Sequence, residues 1–159
     1  MFFTNADGFK VNVGGTDQTG WRTLSTEEWQ YLFDTRTFNN GANTGEGYSY
    51  QRATINSDAT SVYGMILYPD NYSSQTGAAS YTSTEWATME AAGCVFLPAA
   101  GARVNSEVNH VGVWGFYWSS TASDSINAYR VRFGSSNVTP NQDVGRHIGS
   151  SVRLITESN

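Results

Sequence analysis

The sequence predicts an α+β domain in which two short helices pack on small antiparallel sheets, with long loops between the elements. Two stretches carry the same helix-start signal, [ST]-x-x-E-W, and several short apolar or alternating runs end at Pro or Gly. Helices and strands do not alternate regularly, so we expect no parallel βαβ sheet. The 159 residues suit a single domain over 1–159 that buries roughly 70% of its unfolded surface.

The first helix is predicted in "LSTEEWQYLFDTR", residues 24–36. Ser25 is placed to cap the helix and Glu28 to complete a capping box. Trp29, Leu32 and Phe33 follow at i, i+3 and i+4, so one face of the helix is expected to be buried. Residues 39–61, rich in Gly, Ser, Asn and Thr, are predicted to form a loop with little regular structure.

The second helix is predicted in "YTSTEWATMEAAG" and begins with the same capping signal as the first. Thr82 and Glu85 are placed to form a capping box, and Trp86 and Met89 are expected to form the buried face. Gly93 can adopt the left-handed conformation that ends a helix. The apolar runs "YGMILYP" and "CVFLPAAG" flank it and are candidate central strands.

Two further strands are predicted near the end of the sequence. "AYRVRFGSS" alternates, with Tyr129, Val131 and Phe133 on one side and Arg130 and Arg132 on the other. "SSVRLIT" is expected to form the last strand.

Composition and charge exclude several classes of function. The single cysteine, Cys94, allows no internal disulfide and is expected to be an inert buried thiol. The net charge is −5, divided as −6 over residues 1–100 and +1 over residues 101–159, and the sequence pI is about 4.8. A nucleic-acid partner is excluded because it would need a basic stripe and a high pI.

No membrane insertion is expected, since no apolar run approaches about 18 residues. "MFFTNADGFK" lacks the charged start and apolar run of a signal peptide. We therefore expect export, if it occurs, to depend on a signal or anchor elsewhere on a longer parent chain, or on virion assembly.

The landmarks fall in the order "GWRTLSTEEWQYLFDTR", "GMILYPDNY", "EWATMEAAGCVFLPAAGAR", "GFYWSST", "AYRVRFGSS" and "GSSVRLI". This order, over nearly all of the chain, resembles the C-type lectin-like domain of two related groups. One group is a paralogous family of gut-bacterial surface proteins, distantly similar to the formylglycine-generating enzyme. The other comprises the variable proteins of diversity-generating retroelements, which mutagenic reverse transcription rewrites near the C-terminus. The most specific parts are Y-W-S-S-T and R-x-x-G-x-S-V-R.

The resemblance implies a fixed frame and a variable ligand-binding segment at about 113–150. The frame comprises Gly115, Tyr117, Trp118, Ser119, Ser120, Thr121, Ala128, Tyr129, Val131, Phe133, Ser135, Ser136, Val138, Pro140, Arg146, Gly149, Ser151, Val152, Arg153 and Leu154. The variable positions implied are Phe116, Asp124, Ile126, Arg130, Arg132, Asp143, Val144, His147, Ile148 and Ser150.

The resemblance also implies that only template adenines are altered, so that an Asn codon can yield every residue at these ten positions. Trp114 and Gln142 cannot arise in this way and are either fixed or altered from another codon. Side chains between the frame residues are expected to point outward.

Several of these side chains have plainer explanations that remain open. Arg130 and Arg132 lie about 6–7 Å apart on one strand face, where they could fork onto a carboxylate, lie over aromatic rings or simply be solvated. Trp118 could be a sugar platform but is favoured as core. Trp114 and Phe116 are predicted to be exposed recognition anchors, and Trp114 joins the ligand-binding set.

The remaining candidates are assigned structural or contact roles. His147 and Ile148 are predicted loop contacts, and a metal role is disfavoured because His110 has no ligand-like spacing with His147. Arg146 and Arg153 are expected to hold loops through backbone carbonyls.

Three functions are considered: two kinds of binding protein and an enzyme. The favoured one is a hypervariable receptor-recognition or adhesion protein without catalysis or cofactor. Its partner would be a variant-specific protein or glycan on a cell surface, and its location extracellular, on a cell surface or on a phage virion. The alternative is a non-varying lectin or adhesin module of a bacterial surface protein.

Calcium-mediated sugar binding is disfavoured, because "WSST" stands in place of Trp-Asn-Asp, Glu-Pro-Asn is absent and "PDN" offers too few oxygens. An enzyme akin to the formylglycine generator would need a cysteine pair, so no enzyme is expected.

Overall fold

A computed structural model describes residues 11–13, 16–18, 20–36 and 46–156, and it is α+β as predicted. The N-terminal stretch without signal-peptide features, residues 1–10, and the first part of the expected loop, residues 39–45, lie outside the described residues. Within the described ranges no helix has the length and apolar character needed to cross a membrane.

The described residues form two α-helices, α1 (Thr26–Gln30) and α2 (Ser83–Ala91). A π-helical turn, Tyr31–Thr35, extends α1. The strands are β1 (Val11–Val13), β2 (Thr16–Gln18), β3 (Trp21–Thr23), β4 (Tyr50–Asn56), β5 (Ser61–Leu67), β6 (Ser80–Thr82), β7 (Val95–Pro98), β8 (Ala102–Val104), β9 (Glu107–Asn109), β10 (Gly115–Ala122), β11 (Asn127–Phe133), β12 (Val138–Gly145) and β13 (Leu154–Thr156).

These strands form small sheets. The largest has the order β6-β4-β5-β7, and a three-stranded sheet has the order β10-β11-β12. The other pairs are β1-β2, β3-β13 and β8-β9. Every described strand pairing is antiparallel except that of β4 with β6.

Both predicted capping boxes are confirmed. The Ser25 hydroxyl accepts from the Glu28 backbone N–H, and the Glu28 carboxylate accepts from the Ser25 N–H at 2.7 Å. Thr82 and Glu85 make the same reciprocal pair at the start of α2. Arg22 adds a bidentate ion pair with Glu28, with both N–O distances 2.6 Å, so the start of α1 is tied to β3.

The core consists of two buried clusters, one on each side of the four-stranded sheet's central strands. The first contains Leu24, Trp29, Phe33, Met65, Leu67, Leu97, Ala99, Tyr117, Val131 and Phe133. The second contains Ala53, Ile66, Tyr68, Tyr81, Met89 and Cys94, with Trp86 packed against it. The predicted burial of the Trp29 and Met89 faces is confirmed. Cys94 is buried as expected, and that burial raises the pKa of its thiol.

Three details of the sequence prediction were wrong. Residues 50–56 form a seven-residue strand inside the expected loop, because pairing with β5 and β6 outweighs their polar composition. Residues 95–98, predicted to be a central strand, form the edge strand β7, whereas β5 lies between β4 and β7. The last strand covers only residues 154–156.

A hydroxyl cluster fixes the three-stranded sheet against α1. The buried Ser119 hydroxyl lies 2.9 Å from the Thr26 hydroxyl and donates to the Tyr129 carbonyl. The Thr121 hydroxyl accepts from the Thr26 N–H at 3.0 Å. The Ser and Thr residues of "YWSST" therefore join the helix start to β10.

Candidate functional site

The β10-β11-β12 sheet has two chemically different faces. Antiparallel register pairs Tyr117 with Val131, and Phe116 with Arg132. Since opposed residues project to the same side of a sheet and successive residues to opposite sides, Tyr117 and Phe116 lie on different faces. We call the side of Tyr117 the inner face and the side of Phe116 the outer face.

The inner face belongs to the core. Tyr117, Val131 and Phe133 are members of the first buried cluster, and the Tyr117 and Phe133 rings stack at 6.1 Å between centroids. The Tyr117 hydroxyl donates to the Pro98 carbonyl at 2.9 Å, which links this sheet to β7. Burial raises the pKa of Tyr117 to about 12, so its hydroxyl keeps its proton at physiological pH.

The outer face carries a ladder of alternating rings and guanidinium groups. The Trp114 and Phe116 rings lie nearly parallel, with 6.4 Å between centroids and 23° between planes. The Arg130 guanidinium lies 4.1 Å from the Phe116 centroid, and that of Arg132 lies 4.8 Å from a Trp114 ring centroid. Both distances lie within cation–π range, so each cation has one side against a ring.

Polar neighbours orient Arg130 further. Its Nε donates to the Gln142 side-chain oxygen at 2.9 Å, and Nη1 donates to the Ser150 hydroxyl at 3.0 Å. Arg130 is only 7% exposed. Desolvation by this burial, followed by the charge of Arg132, lowers the pKa of Arg130 to about 10. The guanidinium still carries its charge at neutral pH.

The segment that follows β12 is attached to the free edge of β10. The Ser151 N–H donates to the Phe116 carbonyl, and the Trp118 N–H donates to the Ser151 carbonyl. Gly149 and Arg103 exchange two backbone hydrogen bonds of 2.7 and 2.8 Å. This attachment brings Ser150 into contact with Arg130. Residues 146–151, which show no strand or helix periodicity in the sequence, therefore contribute a side chain to the outer face.

Side-chain to backbone hydrogen bonds fix the conformation of the turn between β10 and β11. The Asp124 carboxylate accepts from the backbone N–H groups of Ile126 and Asn127 at 2.8 and 2.7 Å, and these bonds lower the pKa of Asp124. Arg146 donates to the carbonyls of Asp124 and Asn127. The predicted loop-holding role of Arg146 is confirmed.

The predicted ligand-binding residues fall into three places. Phe116, Arg130, Arg132 and Val144 lie on the outer face by register, and Trp114 and Ser150 join them by contact. The two turns at this end of the sheet carry Asp124, Ile126, His147 and Ile148. Asp143 is opposite Tyr129 and therefore lies on the other face from Arg130.

The expected outward exposure is wrong for two of these residues. Phe116 and Arg130 are each only 7% exposed, although both lie on the outer face. Their burial comes from contact with Trp114, Gln142 and Ser150. By contrast, Ile126 is 71% exposed and Ile148 is half-buried. His147 is exposed to solvent, and its ring lies next to Gly145.

Trp118 and Gln142 are outer-face residues that the sequence prediction missed. Trp118 was predicted to be core, but it is half-buried, opposite Arg130 and outside both core clusters. Its neighbour Tyr117 takes the core position, because adjacent strand residues face opposite ways. The same alternation, applied from Val144 back to Gln142, would have identified Gln142.

The described side chains of the outer face supply two cations, aromatic surface, an amide and a hydroxyl. Within the described part of the chain, no group of three or more His, Cys, Asp or Glu residues could hold a metal ion. In comparisons with protein-family models, curated proteins and solved structures, nothing matches the chain.

Proposed function

We propose that the protein is a ligand-binding protein that uses the outer face and the adjoining turns for receptor recognition or adhesion. In this proposal the scaffold is a C-type lectin-like domain and the binding residues are those that a diversity-generating retroelement would vary. The protein performs no catalysis, and its partner is a protein or glycan presented at a cell surface. It would act outside the cell, on a cell surface or on a phage virion.

The observation that carries the proposal is the separation of the two faces of the β10-β11-β12 sheet. Val131 and Phe133 are fully buried in the core, while Arg130 and Arg132, their neighbours in sequence, contact rings on the other face. Aromatic and arginine side chains are enriched at the energetic centres of protein interfaces. A face built from both types is therefore suited to binding.

Several residues of the frame implied by the resemblance make structural contacts away from the outer-face side chains. Ser119 and Thr121 bind α1, Arg146 holds the β10–β11 turn, and Ser151 bonds to β10. These contacts support a scaffold that tolerates other side chains at the variable positions. The landmark order given above supports the C-type lectin-like assignment, and the α+β architecture is compatible with it.

A non-varying lectin or adhesin module is the alternative function. It is favoured by the half-buried Trp114 and Trp118 on the outer face, since partly exposed indoles offer flat surfaces for stacking sugar rings. This alternative predicts binding to one glycan by every copy of the protein, and a glycan array would measure it.

Sequencing the gene's neighbourhood tests the proposal. We expect a reverse-transcriptase gene and a near-identical template copy that differs at adenines. The differing codons should be those of the ten variable positions, with the codons of Tyr117, Val131 and Phe133 unchanged. A locus without template or reverse transcriptase would overturn diversification and favour the lectin or adhesin module.

A further inference from the structure

The outer face brings two positive charges together without supplying a negative one. Among the described residues, no carboxylate forms an ion pair with Arg130 or Arg132. The acidic residues nearest to them in the sequence are Asp124 and Asp143. Asp143 lies on the other face of the sheet, and the Asp124 carboxylate is bonded within its turn. The two guanidinium groups therefore have no internal counter-ion in the described chain.

The guanidinium groups also retain unused hydrogen-bond donors. Each has five N–H groups in a planar fork. Arg130 uses Nε and Nη1, and no described residue accepts from its Nη2. Arg132 makes no hydrogen bond with the described residues, and its Nε is buried without a partner. Rings cover one side of each group, so the remaining donors lie along the edges of the forks.

Burial and mutual repulsion both disfavour this arrangement, and a bound anion would offset both. Desolvation and the charge of Arg132 act in the same direction on Arg130. A carboxylate at the fork edges would accept charge-assisted hydrogen bonds, which are among the stronger ones in proteins. The chain as a whole carries −5, which works against a polyanionic ligand and favours one with a single localised negative group.

We propose that Arg130 and Arg132 together form a binding site for one carboxylate group of the ligand. Trp114 and Phe116 hold the two forks from behind, and Gln142 and Ser150 orient Arg130. The inference rests on the proposed function only in taking the outer face as the ligand-binding face. It adds the chemical class of group that this protein recognises there.

The test is a titration of the whole chain monitored by the arginine Nε–H resonances in ¹⁵N–¹H NMR spectra. The probes are N-acetylglutamate α-amide, glucuronate, inorganic phosphate and the neutral N-acetylglutamine α-amide, all at constant ionic strength. We expect saturable shifts of the Arg130 and Arg132 resonances with at least one of the two carboxylates. Response to the glutamate derivative assigns the group to an acidic protein side chain, and response to glucuronate assigns it to an acidic sugar.

Arg132→Gln should weaken carboxylate binding at least tenfold, whereas Arg22→Gln, at an arginine that pairs with Glu28 away from the outer face, should leave it unchanged. If Arg132→Gln fails to fold, Arg132→Lys keeps the charge without the fork and should weaken binding several-fold. An equal response to the neutral amide, tighter binding of phosphate, or unchanged affinity in the Arg132 variants would overturn the site.

Failure of this site is distinguishable from failure of the proposed function. The titration reports only on the two guanidinium groups of this protein. Diversification is judged from the gene's neighbourhood, and a different outer-face chemistry would leave that result intact.

Discussion

Truncation to Ala should destabilise the protein far more at one residue of β11 than at its neighbour in sequence. Val131 is fully buried in the core, and Arg132 lies over Trp114 on the outer face. Val131→Ala removes two buried methyl groups, worth about 1.6 kcal/mol in transfer free energy at about 0.8 kcal/mol each. The cavity adds to this, so we expect a loss of about 2–3 kcal/mol in the free energy of unfolding.

Arg132→Ala should cost much less. It removes one partly exposed cation–π contact of about 0.5–1 kcal/mol. It also removes a like charge beside Arg130 and a buried Nε without a partner, and both changes offset that loss. We expect a net change below about 1 kcal/mol.

Thermal unfolding followed by circular dichroism, with guanidinium unfolding as a second measurement, distinguishes the two variants. For a domain of this size, 1 kcal/mol corresponds to roughly 2–4 °C in Tm. We expect Tm to fall by about 5–10 °C in Val131→Ala and by no more than about 3 °C in Arg132→Ala. Equal losses in the two variants would refute the assignment of separate roles to the two faces.

Three other predictions concern the scaffold. Glu28→Gln should lower the free energy of unfolding at neutral pH by about 0.5–1 kcal/mol, because the Arg22–Glu28 pair is partly exposed. Because Arg22 lowers the pKa of Glu28, the stability difference between the wild type and Glu28→Gln should be fully present above the ordinary Glu pKa. It should vanish as the pH falls through the lowered pKa of Glu28. A stability difference that persists in acid would contradict this role of the ion pair. Gly115→Ala should lower the free energy of unfolding by about 1–3 kcal/mol, measured by denaturant unfolding, because the added Cβ would clash with the buried Phe133 ring. An unchanged unfolding midpoint would show instead that the ring can move aside. A ¹³C titration should give Asp124 a pKa below the usual range for Asp. Asp124→Ala should lower Tm more than Asp124→Asn, because Asn keeps an acceptor oxygen for the backbone N–H groups. An ordinary pKa would show that these hydrogen bonds do not stabilise the turn.

Local signals in the sequence predicted the parts of the fold that depend on near neighbours. The two capping boxes follow from residues three positions apart, and strand alternation placed Val131 and Phe133 in the core. β4 was missed because its Ser, Asn and Thr neighbours resemble a loop. Its stability comes from pairing with strands that are distant in the sequence.

The membership of the candidate site was predictable in part, but the burial of its residues was not. Alternation placed Arg130 and Arg132 together on one face, as the register confirms. The burial of Phe116 and Arg130 depends on Trp114 stacking from the preceding loop and on Ser150 arriving from beyond β12. These are contacts between segments, and no pattern within a single strand encodes them. Trp118 was misassigned because the small hydroxyl residues beside it suggested a buried indole, whereas the register gives the core position to Tyr117.

The central claim is that inner-face residues and the Asp124 hydrogen bonds of the turn maintain the fold, while the other outer-face and turn residues can be replaced to change the ligand. The most direct measurement is deep sequencing of a cell-surface display library sorted first for protease resistance and then for binding to a panel of receptors. The account predicts that Ile126, Arg132, His147 and Ile148 accept most substitutions and yield new binders, whereas Tyr117, Val131 and Phe133 tolerate few. Depletion of substitutions at both sets alike, or binders whose changes lie only on the inner face, would contradict it.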